Sequence, residues 1–287
     1  LFSFDFRNSS KIEAVIESTH ITHVDWILTV PHKFIRIGGF AISDCCFENV
    51  TRRIYSQIQS GSRLAVFFAN THFIVTCQPL RNRLPQMTTS VLILNDGIGV
   101  SIARRLLRRG KFTDNMNGTD FVPRLLRESP KPLRVYLLGS TQKAVEGTAK
   151  AFAQIPHIDI VGLCDGYSLW QKEDRVIENI NDARPDILLV AMGCPLQECW
   201  IVENLDRLNA NAIFGVGALF DFVSGEAIRA PKIMRQAQLE WLYRWWREPR
   251  RLAYRYTIEI FSFFRIVYAN ARDTVQTVIP TLNRPLL

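Results

Sequence analysis

Six short apolar runs, each closed by polar or glycine residues, constrain this chain most. Arg63–Phe68 runs into Ala69-Asn70-Thr71-His72, Val91–Leu94 stops at Asn95-Asp96-Gly97, and Arg134–Leu138 turns at Gly139-Ser140. Ile158–Val161 leads to Asp165-Gly166-Tyr167, and Ile187–Val190 and Ala212–Val216 complete the set. Continuous apolar runs of this length are strands buried on both faces. Helical patterns separate them: Ala144–Ala153, about Gln197–Leu208, and a basic stretch through Arg104–Arg109. Strands alternating with helices predict an α/β fold with a Rossmann-like, mostly parallel sheet. Pro130 and Pro132 mark a hinge between its two halves.

After Pro231 the composition changes. Between Arg244 and Arg272 there are seven arginines against two acids, Glu248 and Glu259, with no lysine and with Trp245, Trp246, Tyr254, Tyr256, Phe261, Phe263, Phe264 and Tyr268 interleaved. The expected organisation is an N-terminal extension of undetermined role over residues 1–35, an α/β domain over 36–231, and a basic, aromatic-rich helical appendage over 232–287. The chain opens on Leu1, which fits a fragment or an upstream extension.

The whole chain is 47% hydrophobic and 22% charged, which supplies a sizeable core and disfavours disorder. Its net charge of +8 favours an anionic partner without choosing among nucleic acid, phosphate ligand and acidic lipid. The six cysteines form no Cys-x-x-Cys pair, so they are expected to be reduced thiols rather than zinc ligands or disulfides. No apolar run approaches the ~20 residues of a membrane span, so any membrane contact should be peripheral.

Polar groups at strand ends lie where open α/β sheets bind ligands. Asp96 follows a buried strand and could take a proton from an attacking hydroxyl, or simply cap the helix after an Asp-Gly turn. Gly139 and Gly193 let backbone N–H groups approach the phosphates of a nucleotide diphosphate, helped by the following helix. Gln197 and Glu198 could hold ribose or sugar hydroxyls, or cap and match the dipole of their own helix. Asp221 could hold uracil or ribose, or pair with Arg229. No phosphate-binding Gly-x-x-x-x-Gly-Lys motif occurs, and Phe220 follows Gly215-Val216-Gly217 where a dinucleotide fingerprint needs Gly or Ala, so NAD binding is disfavoured. His72 is more simply structural. In the tail, arginine forks suit phosphate and the aromatics suit a bilayer interface; the plain alternative is a solvated basic face over an aromatic core stripe. Glu248-Pro249 should break the tail into two helical pieces. RNA would be attracted by the charge, yet no RNA-binding motif is present.

The order of Pro185–Val190, Gly193-Cys194-Pro195-Leu196-Gln197-Glu198, Gly215-Val216-Gly217 with Phe220-Asp221, Arg229-Ala230-Pro231, Leu239–Arg244 and Glu248-Pro249-Arg250-Arg251 resembles the signature of the WecG/TagA/CpsF glycosyltransferases. The resemblance covers roughly Ile37 to Tyr256. It implies the family's GT-E-type fold and an inverting, UDP-sugar-dependent hexosyltransferase acting on a sugar linked through pyrophosphate to a polyprenol. On that reading Asp96 is the general base, and Asn70, Gln197 and Asp221 hold donor sugar and nucleotide with Glu198, Gly139 and Gly193. Arg244, Arg247, Arg250, Arg251 and Arg255 take the lipid pyrophosphate or departing UDP. No Asp-x-Asp occurs, so no metal or other cofactor is expected. The implied partners are the UDP-sugar, the lipid-linked acceptor, the membrane surface and a second copy of the chain, without nucleic acid. The implied location is peripheral, on the cytoplasmic face of a bacterial inner membrane.

Two departures stand out. Phe68 occupies the threonine position of the family's Thr-x-Asn motif, and Asn115 stands where relatives often carry arginine. The Phe68-Ala69-Asn70 variant and the Asn117–Phe121 stretch look most similar to the xanthan-pathway branch, which adds β-1,4-glucose from UDP-glucose in exopolysaccharide synthesis. The near alternative is transfer of N-acetylmannosamine, or its uronic acid, to a GlcNAc-pyrophosphoryl lipid. The non-enzymatic alternative is a basic RNA- or lipid-binding α/β protein.

Overall fold

The structure, a computed structural model, describes residues 32–84, 90–236, 239–271 and 276–278; side chains of His32, Gln171, Gln236, Arg251 and 276–278 lie outside the description. The first half comprises β1 (His32–Ile37), β2 (Phe40–Ser43), α1 (Phe47–Ser60), β3 (Leu64–Ala69), α2 (Thr71–Thr76), β4 (Val91–Asn95), α3 (Ile98–Leu106) and α4 (Gly118–Arg127). The second comprises β5 (Leu133–Gly139), α5 (Gln142–Phe152), β6 (Ile158–Cys164), α6 (Gly166–Gln171), α7 (Glu173–Ala183), β7 (Ile187–Ala191), α8 (Leu196–Asn204), β8 (Ala212–Gly215) and α9 (Leu219–Val223). The C-terminal part contributes α10 (Lys232–Gln236), α11 (Glu240–Arg247), α12 (Pro249–Tyr256), α13 (Ile258–Ala269) and β9 (Gln276–Val278).

One nine-stranded sheet runs β6-β5-β7-β8-β3-β4-β2-β1-β9. From β6 to β2 all neighbours are parallel, and β1 is antiparallel to both β2 and β9. The chain crosses from one half of the sheet to the other between α4 and β5, at Pro130–Pro132, and β3 pairing with β8 joins the halves. The six strands expected from sequence are β3 to β8. The antiparallel strands escaped notice because His32–Ile37 carries Lys33 and Arg36 and has no continuous apolar run. The boundary expected at residues 35 and 36 falls inside β1, and residues 1–31 lie outside the described residues.

The period-two geometry of strands splits the side chains between two cores. Ala65, Phe67 and Ala69 of β3 join Ile93, Leu138, Val190 and Ile213 on one face, beneath α2, α3, α7, α8 and α13. Leu64, Val66 and Phe68 join Leu94, Leu137, Leu189 and Phe214 on the other, beneath α1, α4, α5 and α9. Both faces of β3, β4 and β7 are therefore buried, which is why these segments are continuously apolar.

Beyond α10, residues 240–269 fold as three helices rather than two. Glu248, at φ −133° and ψ 60°, separates α11 from α12 where Pro249 starts a new helix, and Thr257 separates α12 from α13. Phe263 and Val267 of α13 are buried in the core cluster that holds Phe73 and Ile74 of α2, so this helix packs on the α/β domain.

Candidate active site

Asp96 lies at the carboxyl edge, one residue past β4. Its backbone N–H donates to the Ala69 carbonyl at 2.9 Å, so strand pairing continues up to the carboxylate. Asn117 Nδ2 donates to Asp96 Oδ1 at 2.8 Å, and Asn70 Nδ2 reaches Oδ2 at 3.4 Å. The amide oxygens of both asparagines cap helices: Asn70 accepts from Phe73 N–H at 3.1 Å, and Asn117 from Thr119 N–H at 3.1 Å. Capping thereby aims both NH2 groups at the carboxylate. Burial pushes the Asp96 carboxyl up to about 6; the two asparagines oppose the rise, nearby Glu240 adds to it, and Arg255 opposes it. A carboxylate tuned there can hold or release a proton near neutrality.

The segment that delivers Asn117 is fixed from several sides. Arg104 and Asp44, both buried, are joined at 2.8 Å, and Asp44 also accepts from Thr113 N–H at 2.9 Å. Asn95 Nδ2 donates to the Asp114 carbonyl at 2.9 Å, and Met116 N–H returns a bond to the Asn95 carbonyl at 3.1 Å. Asn115 Oδ1 accepts from Gly97 N–H at 3.1 Å, holding the Asp-Gly turn itself. Phe68 is a core residue, 5.8 Å from Phe121 between ring centroids. Gly118 makes room for it, because an added Cβ there would come within 2.9 Å of the Phe68 ring. The missing threonine hydroxyl is thus replaced by packing beneath the site.

The other half of the edge lies across the β3–β8 join. Gln197 is 3% exposed: its Nε2 donates to Glu198 Oε1 at 2.8 Å, and its Oε1 accepts from Gly217 N–H at 2.9 Å. Glu198 is equally buried, its Oε2 has no hydrogen-bond partner among the described residues, and burial pushes its carboxyl up. Gly193 has φ +79° with open space around it, and its carbonyl accepts from Gln197 N–H at 3.0 Å. Gly139 is required by the backbone beside it: a Cβ there would sit 2.4 Å from the Ala191 carbonyl oxygen. Asp221 accepts from Ser140 Oγ at 2.6 Å; it does not pair with Arg229.

Arg229 instead joins the C-terminal part to α4, bonding Asp120 at 2.7 Å and Glu240 at 3.1 Å, with Arg235 also on Asp120 at 3.2 Å. Of the five tail arginines expected at the site, Arg255 is half-buried, its charge reaches Asp96 and its Nε has no hydrogen-bond partner among the described residues. Arg244 is half-buried, 5.6 Å from the centroid of the Phe222 ring. Arg247 and Arg250 are exposed, and the Arg251 side chain lies outside the described residues.

Sequence reading missed Asn117, Glu240, Asp120 and Glu259 as members of this region. Glu259 carried a signal, as one of two acids in an arginine-rich segment. Cys77, Cys194 and Glu198 approach one another within 4.8 Å. The neighbouring Cys77 thiol, together with burial, pushes the Cys194 thiol well above its usual range.

The sequence profile described as "Glycosyl transferase WecG/TagA/CpsF family" matches residues 35–276. A protein of Bacillus subtilis (strain 168) named N-acetylglucosaminyldiphosphoundecaprenol N-acetyl-beta-D-mannosaminyltransferase is 35% identical over 180 residues, 60% of this chain and 69% of that protein. A Staphylococcus aureus (strain MW2) protein of the same name is 28% identical over 231 residues, 76% of this chain and 88% of its own length. With a buried-strand scaffold and a tuned carboxylate at its ligand edge, this chain belongs to the WecG/TagA/CpsF glycosyltransferase family.

Proposed function

We propose that this enzyme transfers N-acetylmannosamine from its UDP derivative to N-acetylglucosamine linked through pyrophosphate to a polyprenol, with inversion at the donor carbon. The names of both relatives support this sugar pair over β-1,4-glucose transfer in xanthan-type exopolysaccharide synthesis. The observation that carries the chemistry is Asp96, pushed up to about 6 and held by two amides.

In this reading, Asp96 accepts the proton of the acceptor hydroxyl as that oxygen attacks the anomeric carbon from the side opposite UDP. Asn70 and Asn117 keep the carboxylate plane fixed, so little reorganisation accompanies the proton transfer. Gln197, Glu198 and Asp221 position sugar and nucleoside, with Ser140 fixing Asp221. Arg244 and Arg255 offset charge developing on the departing diphosphate, and Arg247, Arg250 and Arg251 lie on the same helices for the lipid pyrophosphate. The reaction is proposed to proceed without a metal.

No helix among the described residues is long and apolar enough to cross a membrane. Trp246, Tyr254, Ile258, Phe261 and Tyr268 are exposed on the basic C-terminal helices. These residues support peripheral docking on an anionic lipid surface, where the acceptor is anchored, with the cytoplasmic face the proposed side. Incubating the protein with UDP-N-acetylmannosamine and GlcNAc-pyrophosphoryl lipid should release UDP only when both are present. Release from UDP-glucose with glucosyl-pyrophosphoryl lipid instead would reverse the sugar assignment.

A further inference from the structure

Glu259 is 4% exposed in the first turn of α13, a helix that otherwise buries Phe263 and Val267. An ionised carboxylate so placed is costly unless a cation meets it. His72 does so: its Nδ1 lies 2.7 Å from Glu259 Oε1, and among the described residues it is the cation bonded to Glu259. The other ring nitrogen, Nε2, lies 3.3 Å from the Cys194 carbonyl oxygen, which can only accept. Neutral imidazole has one N–H and cannot donate to both. Full satisfaction therefore requires one more proton on the pair, either on the imidazole or on Glu259 donating to Nδ1.

We propose that His72 is a positioning residue: the proton it shares with Glu259 fastens the C-terminal helix α13 simultaneously to α2 and to the loop that opens α8. The geometry makes this a three-way joint. His72 lies two residues after Asn70, the amide partner of Asp96. Cys194 lies immediately before Pro195 and the Gln197-Glu198 pair. α13 follows directly on α12, which carries Arg255, whose charge reaches Asp96. Losing the shared proton leaves one His72 lone pair facing an acceptor, either the Glu259 carboxylate or the Cys194 carbonyl, so one arm of the joint is lost and it loosens.

The other titratable groups around His72 are few. Glu198, from α8, is close enough for the His72 charge to favour its ionised form. Cys77, just past the end of α2, and Cys194 of the loop form a thiol pair at 3.6 Å, with Thr76 Oγ1 on Cys194 Sγ at 3.3 Å and on the His72 carbonyl at 2.8 Å. On α13 the remaining charged side chain, Arg265, is exposed. Histidine is the side chain whose charge ordinarily changes near neutrality.

The consequence for sugar transfer rests on the function proposed above, but the joint itself does not. Its test is amide hydrogen exchange on the full chain at about pH 6 and about pH 8.5, corrected for intrinsic exchange, reading residues 258–269 against β3 and β7. Wild-type protection of α13 should fall about tenfold or more at the higher pH while β3 and β7 keep theirs. Glu259→Gln should hold α13 equally at both pH values, because its amide donates to neutral Nδ1. Glu259→Leu should lose α13 protection at both. If Glu259→Leu fails to fold, wild type against Glu259→Gln decides alone. Equal wild-type protection at the two pH values, or wild-type pH dependence retained in Glu259→Gln, would overturn the proposal. Exchange needs no turnover, so failure of the enzyme to transfer any sugar would count against the proposed function and leave this result standing.

Discussion

Asn117 Nδ2 donates to Asp96 Oδ1 at 2.8 Å across 21 residues of chain, while its own oxygen caps α4. One side chain thus starts a helix and orients the proposed base. The arrangement ties catalytic geometry to local folding, since losing the cap and losing the carboxylate's partner are the same event. Replacing Asp96 by asparagine preserves size and removes the proton acceptor. Transfer should fall by about a hundredfold or more, within the usual range for a general base, while the melting temperature stays near wild type. Initial rates of UDP release beside thermal melts check this.

The raised Asp96 carboxyl sets a pH dependence. A base must be ionised to act, so activity should decline as pH falls through about 6. Asn117→Ala removes a bond that favours the ionised form and should move the acidic limb upward. Glu240→Gln removes a neighbouring negative charge and should move it downward. Opposite displacements in pH–rate profiles of kcat/KM are the expected result; a limb unmoved in both variants would detach Asp96 from it.

Arg104 and Asp44 support the same loop at a distance. Burial raises the Asp44 carboxyl, but the Arg104 bond and charge and the Thr113 bonds outweigh it and hold the group below its ordinary value. That stabilisation is present at neutral pH and is lost as pH drops through the depressed value. Arg104→Met takes the hydrogen-bonded cation from the buried Asp44 carboxylate, leaving the exposed Lys33 at 3.9 Å, and should cost at most about 3–5 kcal/mol. Urea denaturation at neutral pH measures the loss, which should shrink under strongly acidic conditions.

On the C-terminal helices, Trp246 and Phe261 are 76% and 78% exposed. Converting both to serine should weaken sedimentation with anionic phospholipid vesicles by about tenfold or more, from lost apolar burial. Turnover of a short-chain, water-soluble acceptor should be little changed. Equal vesicle binding by the double variant would place the membrane contact elsewhere.

What the sequence made legible follows from periodicity. Strands β3, β4, β5, β7 and β8 stand out because both faces are buried, and edge strand β6 by its short apolar run; Asp96, Asn70 and Gln197 stand out because they sit at strand ends or helix starts. Asn117 does not, because its role depends on a loop folding back over 21 residues. The Asp120–Arg229–Glu240 group is hidden by sequence separation, Asp120 and Arg229 being 109 positions apart. Gly139 shows the reverse difficulty: a strand-end glycine suggests phosphate approach, whereas the backbone of Ala191 already requires it. The second break in the tail, at Thr257, has no proline or glycine to announce it.

The most direct test of the account is UDP release from UDP-N-acetylmannosamine by wild type and Asp96→Asn, with and without GlcNAc-pyrophosphoryl lipid, across the pH range around 6. The account predicts acceptor-dependent release by wild type that falls away on the acidic side, and near-complete loss in the variant. Acceptor-dependent release of equal rate from a folded Asp96→Asn protein would contradict it.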